Sequence, residues 1–407
     1  MLLAFQSVIM LMVLTRVCDV ATAGIFTFAY ASVNLFLRIG NYGMRPFQVS
    51  DVIARYSFRE YSASRLITCG LMLISFGVYL SVSGALLGYE TEKILVLVIM
   101  VFYKLTDALE DVLHANYQQN NRLDVGARVL TLRLATSIAV FSALAILTSN
   151  LVFSLGAATA YTLLFFALES IYVKRRYSLP ARSSSFSWAG TFDLLKSCFP
   201  LFFAAFLLMF ITNAPKFAID AILDDTAQAY FGYIAMPVFV VGLFSSFVYN
   251  PMIASLSRLW HEAKTRKFAL HFLKLMFCVI GVTIACVLLA WLAGVPVLNL
   301  LYNTDVSFLL FELIILVASG GFLALIALCT IGITIIRFQR SLIWGSAFVG
   351  ILALFLSPVF VENWGINGAA IISLILIAIL ALWFGVTFVI GVRKTDKSNS
   401  PSQNTLG

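Results

Sequence analysis

GIFTFAYASVNLFLRIGNYGMRPFQVSD, Gly24 to Asp51, is the stretch on which the reading of this chain turns. Most of it has the apolar make-up of a membrane-spanning helix. Asn34, Arg38, Asn41 and Arg45 nevertheless recur in it at steps of 4, 3 and 4. At about 3.6 residues per turn these four fall in one narrow sector of a helical face. An arginine inside a bilayer helix is costly, and it normally faces a bundle interior or a water-filled cavity. The stretch therefore predicts a helix over 20–45 that lines something polar within a membrane protein.

Composition agrees. Of the 407 residues, 61% are hydrophobic and 11% charged, against about 25% charged in a soluble domain. Mean hydropathy is +0.98. A soluble chain of this length has too little interior to hide so much apolar surface. The net charge of +8 fits a cytoplasmic Lys/Arg bias in a multi-pass protein rather than nucleic-acid binding. The six cysteines fall mostly in apolar runs without C-x-x-C spacing, and read as buried small hydrophobes.

Working outward, the apolar runs predict about twelve spans: 1–15, 20–45, 61–84, 92–116, 126–148 and 150–173, then 194–217, 227–256, 269–293, 307–336, 341–361 and 365–391. Ala21-Thr22-Ala23 imitates a signal-peptidase site, but no basic residue precedes Arg16, so the first run reads as a helix. The organisation is an N-terminal lobe (1–173), a cytoplasmic inter-lobe loop (174–193), a C-terminal lobe (194–392) and a disordered cytoplasmic tail (393–407). When alternate connections are assigned to opposite sides, 20 of the 27 Lys/Arg fall on one side. That bias places both termini in the cytoplasm.

A shift of 205 residues lays the opening stretch over Ala229 to Arg258. Phe26 meets Phe231, Phe28 meets Tyr233 and Pro46 meets Pro251. Parallel repeats of this kind are one plan for transporters, with the substrate site between the halves. Arg38 corresponds to Leu243 and Asn41 to Ser246, so a charged site belongs to the first half.

The fourth span, VFYKLTDALEDVLHANYQQNNR from Val101, adds Lys104, Asp107, Asp111 and His114 on one face, with Glu110 pointing elsewhere. Two readings stand. Lys104 and Asp107 neutralise each other, with Asp111 and His114 at the interface; or the set lines a cavity and meets an anion or relays protons. Arg133, on the next span, has Glu110 or Asp111 as its candidate partner. No H-E-x-x-H, P-loop, G-x-S-x-G or G-x-G-x-x-G motif has a supporting context, so nothing calls for a metal or a cofactor. The acidic IDAILDDTAQ (219–228) reads as an external connection, not a calcium loop.

The opening stretch with RYSFREYSASR after it, ALEDVLHANYQQNNRLDVGARVLTLR, and NAPKFAIDAILDDTAQAYFGYIAMPVF together resemble the polysaccharide-biosynthesis branch of the MATE-like (MOP) flippase superfamily. The resemblance covers essentially the whole chain, although family members usually have a fuller first helix. It implies an all-α integral membrane protein with two six-helix lobes around a central cavity. It implies a non-enzymatic flippase in the bacterial cytoplasmic membrane. Its cargo would be an undecaprenyl-diphosphate-linked oligosaccharide for O-antigen, capsule or exopolysaccharide, and its partners would be membrane lipids, H+ or Na+, a polymerase and glycosyltransferases. On that reading Arg38 and Arg45, with Lys104 and Arg133, attract the diphosphate, since a guanidinium fork suits phosphate. Asn34 and Asn41 offer hydrogen bonds, and Asp107 and Asp111 are the candidates for ion coupling. The alternatives are a cation-coupled small-molecule antiporter of the same fold, a membrane polymerase or ligase, and a non-transporting assembly partner. The short external connections argue against a polymerase.

Overall fold

The computed structural model describes residues 2–51, 55–176, 186–262, 264–336, 338 and 340–399, and among these there is no strand. A bilayer leaves backbone polar groups no water to bond with, so the chain satisfies them within helices. The first part of the chain forms α1 (Leu2–Val17), α2 (Val20–Asn41), α3 (Met44–Ser50), α4 (Phe58–Leu87), α5 (Thr91–Gln119), α6 (Leu123–Thr148), α7 (Leu151–Arg176) and α8 (Trp188–Ile222). There follow α9 (Asp225–Ala235), α10 (Pro237–Tyr249), α11 (Ile253–His261), α12 (Thr265–Leu289), α13 (Val295–Tyr302), α14 (Leu310–Ile335) and α15 (Arg340–Asn399).

Nine helical segments among the described residues are long and apolar enough to cross a membrane. Gly365, at φ 57° and ψ −136°, divides the last of them into two. The charge-bearing α5 and the shorter α1 bring the number to twelve. Leu66, Ile74, Leu86, Leu147 and Trp344 stand more than 60% exposed. Such outward apolar side chains are suited to hydrocarbon and costly in water.

The ends of these helices show why the boundaries fall where they do. Ser57 accepts from the Glu60 amide while Glu60 accepts from the Ser57 amide, a capping box that starts α4. Gly88, at φ 65°, ends it in the left-handed region that favours glycine. The predicted helix over 20–45 stops at Asn41 instead: Tyr42 and Gly43 both take left-handed backbone, and the chain restarts as α3 with Pro46 in its first turn. Pro237 divides the predicted eighth span into α9 and α10. The helix α15 continues to Asn399; the rest of the predicted tail, 400–407, and 177–185 of the inter-lobe loop lie outside the described residues.

Contacts divide the chain into two compact units, Met1–Ala229 and Tyr230–Gly407. The division falls after α8, not in the 174–193 connection where the sequence was read to change lobe. The reason is that α8 packs lengthwise on α2 and α4, with Tyr42 stacked on Phe202 at 4.5 Å and Phe28 edge-on to Phe217 at 5.9 Å. In the second unit α14 is the hub, packed on α10, α12 and α15. Its Gly332 lets Phe272 and Phe388 stack at 3.9 Å.

Candidate functional site

Helix α2 is buried on nearly every side. From Ala23 to Gly40 the residues not classed as buried are Tyr30, Asn34 and Arg38, and of these Arg38 is exposed. The open strip of the helix thus coincides with the polar line read from the sequence, down to Asn41, which is half-buried. The Arg38 guanidinium lies 3.9 Å from Met209 Sδ of α8 and forms no ion pair among the described residues. Arg45 is displaced from the line by the break at Tyr42–Gly43. It sits on α3, 3.5 Å from Asp111 and 3.3 Å from Gln118 Oε1.

The other predicted residues form two knots of charge. In the first, Lys104 Nζ is 3.0 Å from Asp107 and also donates to Gln6 and Tyr30. Arg133 reaches Asp107 at 2.6 Å and Glu110 at 2.8 Å. Lys104 and Arg133 are each 1–2% exposed at the side chain. Of the two acids read as candidates for Arg133, Glu110 is the one it reaches and Asp111 is not, and Asp107 joins the pair as a further partner. In the second knot Asp111 is held by Arg65 at 2.7 Å, with Arg45 beside it.

Arg65, in the first turns of the predicted span 61–84, was not read as a site residue, and it lies on the buried face of α4. It also donates to the Gly40 carbonyl, as Thr68 does at 2.8 Å, so together they satisfy an acceptor in the last turn of α2. Its signal was the capping box begun by Ser57 eight residues upstream, which places Arg65 two turns inside a helix. A third knot was also missed. Asp220 and Asp225, read as an external connection, both pair with Lys93, at 2.7 and 2.6 Å, and Tyr89 donates to Asp220. Burial and the Asp220 carboxylate push the Tyr89 hydroxyl pKa up. Lys216 is on the side of α8 that carries Met209, two turns away, and has no ion-pair partner among the described residues.

The chemistry separates the cations. Lys104, Arg133 and Arg65 are already committed to carboxylates. Arg38 is open and positively charged and forms no ion pair among the described residues, flanked on its strip by the amides of Asn34 and Asn41. That arrangement suits an anion with several acceptor oxygens.

The fold is shared with proteins already solved. A structure described as the inward-facing conformation of a multidrug resistance MATE family transporter of the MOP superfamily superposes with TM-score 0.73, at 14% identity, over 98% of this chain and 96% of that one. The fold is that of the MOP transporters. A structure of the lipid II flippase MurJ, inward closed, superposes with TM-score 0.72 at 14% identity, over 97% of this chain and 88% of that one. In sequence, the capsular polysaccharide biosynthesis protein CapF of Staphylococcus aureus is 21% identical over 290 residues, 69% of each chain. No protein-family model matches the chain. The MOP likeness covers both units and makes this a multi-pass transporter fold.

Proposed function

We propose that this protein is a flippase that moves a lipid-linked oligosaccharide, joined to its polyprenyl tail by a diphosphate, across the bacterial cytoplasmic membrane for surface polysaccharide assembly. The observation that carries the reading is Arg38: an intramembrane guanidinium, open on an otherwise buried helix, with no ion-pair partner among the described residues. Dragging a diphosphate and a sugar headgroup bare through hydrocarbon is prohibitive. A cationic, hydrogen-bonding strip replaces the lost hydration. Arg38 takes the diphosphate, Arg45 assists from α3, and Asn34 and Asn41 bond sugar or phosphate oxygens. Lys104 and Arg133 support the strip indirectly, by fixing α5 and α6 behind α2. The apolar tail stays in the bilayer while access alternates between the two sides, with both termini cytoplasmic as the Lys/Arg bias argues. Glycosyltransferases would supply the cargo and a polymerase would take it up.

The CapF likeness supports a polysaccharide cargo, and the MurJ likeness supports the fold's capacity for a lipid-linked one. The MATE likeness is as strong and favours a second reading, a cation-coupled antiporter of small molecules. An open arginine suits an anionic cargo better than the cationic drugs such an antiporter would export. Complementation decides between them. In a flippase-deletion strain of the matching pathway, the wild-type chain restores surface polysaccharide and Arg38→Ala, present in the membrane at equal level, does not. Full export by Arg38→Ala removes Arg38 from the site. Drug resistance without polysaccharide export establishes the antiporter.

A further inference from the structure

Behind α2, the packing of α5, α6 and α7 buries three carboxylates against two cations. Asp107 and Glu110 come from α5 and Glu169 from α7; Lys104 and Arg133 come from α5 and α6. Glu169 is 6% exposed, and among the described residues neither of its side-chain oxygens has a hydrogen-bond partner. It sits on the buried stripe of α7, two turns below the fully buried Thr162. Glu110 is 1% exposed, and the one cation that reaches it, Arg133, is also claimed by Asp107. The helix α7 packs on α5 and α6, and the charge of Arg133 reaches both glutamates while that of Glu169 reaches Glu110.

Charge counting then has one outcome. With all five groups ionised the cluster carries one unpaired negative charge in a low-dielectric interior, where an isolated carboxylate is very costly. One added proton makes it neutral. Asp107 is not the place for that proton, because Lys104 and Arg133 hold it at 3.0 and 2.6 Å. The remaining group felt by both glutamates is Tyr117, with His114 beside it, both on α5. His114 Nε2 is buried with no hydrogen-bond partner among the described residues. Tyr117 is a neutral phenol packed against the His114 ring.

We propose that Glu169 and Glu110 form a proton-binding site, in which one carboxylate accepts a proton from water and gives it back as the transport cycle turns. The bond made is one O–H on a glutamate; the bond broken is the one that brought the proton, so nothing else is consumed. The site replaces Asp107 and Asp111 as the coupling element, because those two acids are already salt-bridged. As a coupling site it rests on the transport reading, but as a proton site it does not.

The test uses the purified full chain in lipid nanodiscs and infrared difference spectroscopy of the carboxylic-acid C=O stretch across a pH titration. The wild type is expected to show a buried acid band that titrates as one group. Glu169→Gln should lose that band, and Glu110→Gln should shift it. The glutamine side chains are neutral and near-isosteric, so both variants are expected to fold, which thermal unfolding checks. Identical acid bands in wild type and Glu169→Gln overturn the proposal, as does bleaching of the band by Na+ at constant pH, which would make the site one for sodium. In cells, the pH dependence of export should flatten in Glu169→Gln; an unchanged pH profile with the band lost overturns the coupling role. Because the infrared signal needs no cargo, failure of the flippase reading leaves it intact.

Discussion

One structural theme occurs twice in this molecule with different chemistry. In the first unit the long helix α2 is followed by the short, proline-bearing α3 and then by α4. In the second, α9 and α10 are followed by the Asn250–Met252 turn with Pro251, then α11 and α12. The offset of 205 residues relates them. In the first unit α2 carries an open Arg38, and all the buried ion pairs among the described residues lie around it in that unit. In the second, Leu243 and Ser246 stand at the corresponding positions, and the ion pair described there is Lys264–Glu262 at the surface. The helix and its proline belong to the scaffold, while the charge is specific to one copy and so is the better guide to function.

The sharpest way to break that contrast is to make the first copy resemble the second. Arg38→Leu should lower polysaccharide export by roughly 10- to 100-fold, the loss of one or two charge-assisted hydrogen bonds to the cargo. Membrane abundance should be unchanged, because Arg38 neutralises no buried acid. Adding Leu243→Arg should not restore export; recovery would mean the two positions are interchangeable. Asp107→Asn should behave in the opposite way. It strands Lys104 in the interior and leaves Arg133 with Glu110 alone, and should cost about 3–5 kcal/mol of stability, read as a fall in thermal unfolding temperature of the detergent-solubilised protein. If Asp107→Asn keeps wild-type stability and loses export, the knot is part of the site rather than its support.

These two residues also show what the sequence could and could not convey. Apolar runs and turn residues made the twelve-span, two-half plan readable, and the 4, 3 spacing put Asn34, Arg38 and Asn41 on what proved to be the open strip. Spacing along one helix says nothing about partners on another. So Lys104, Asp107 and Asp111 were seen as one face and Glu110 was named for Arg133, while the reach of Arg133 to Asp107 and the arginine that holds Asp111 were not seen. Arg45 was placed in line because Tyr42 is an unusual residue for left-handed backbone, and only the following Gly43 hinted at the break. Glu169 was passed over because one acid near a basic helix end looks like an interfacial residue. Its place on the buried stripe depends on which side of α7 meets α5.

A smaller contrast lies at the start of the two copies. Gly24 of α2 corresponds to Ala229, so the second copy already carries a Cβ there, fully buried. In the first copy an added Cβ would collide with the carbonyl oxygen of Asp225, next to the Lys93 knot. Gly24→Ala should therefore cost about 1–3 kcal/mol, the usual penalty for overpacking. Thermal unfolding reads it, and a silent substitution would mean that the α8–α9 junction gives way freely.

The smallest expected effect is at the helix that follows the proline. Ser57 starts α4 with a reciprocal pair of bonds to Glu60, whereas Lys264 starts α12 with no side-chain cap. Both copies need a turn at this point, but the first must also hold Arg65, two turns further on, against Asp111 and the Gly40 carbonyl. A frayed start to α4 would loosen Arg65 and with it the end of α2 that bears Asn41. Ser57→Ala should cost about 1 kcal/mol, the worth of an N-cap. Combined with Arg65→Lys, which gives up the planar fork, it should cost more than the two changes separately, because both act through the same turn. Strict additivity in thermal unfolding would show that the cap serves α4 alone and that the tie from α4 to the polar strip does not depend on it.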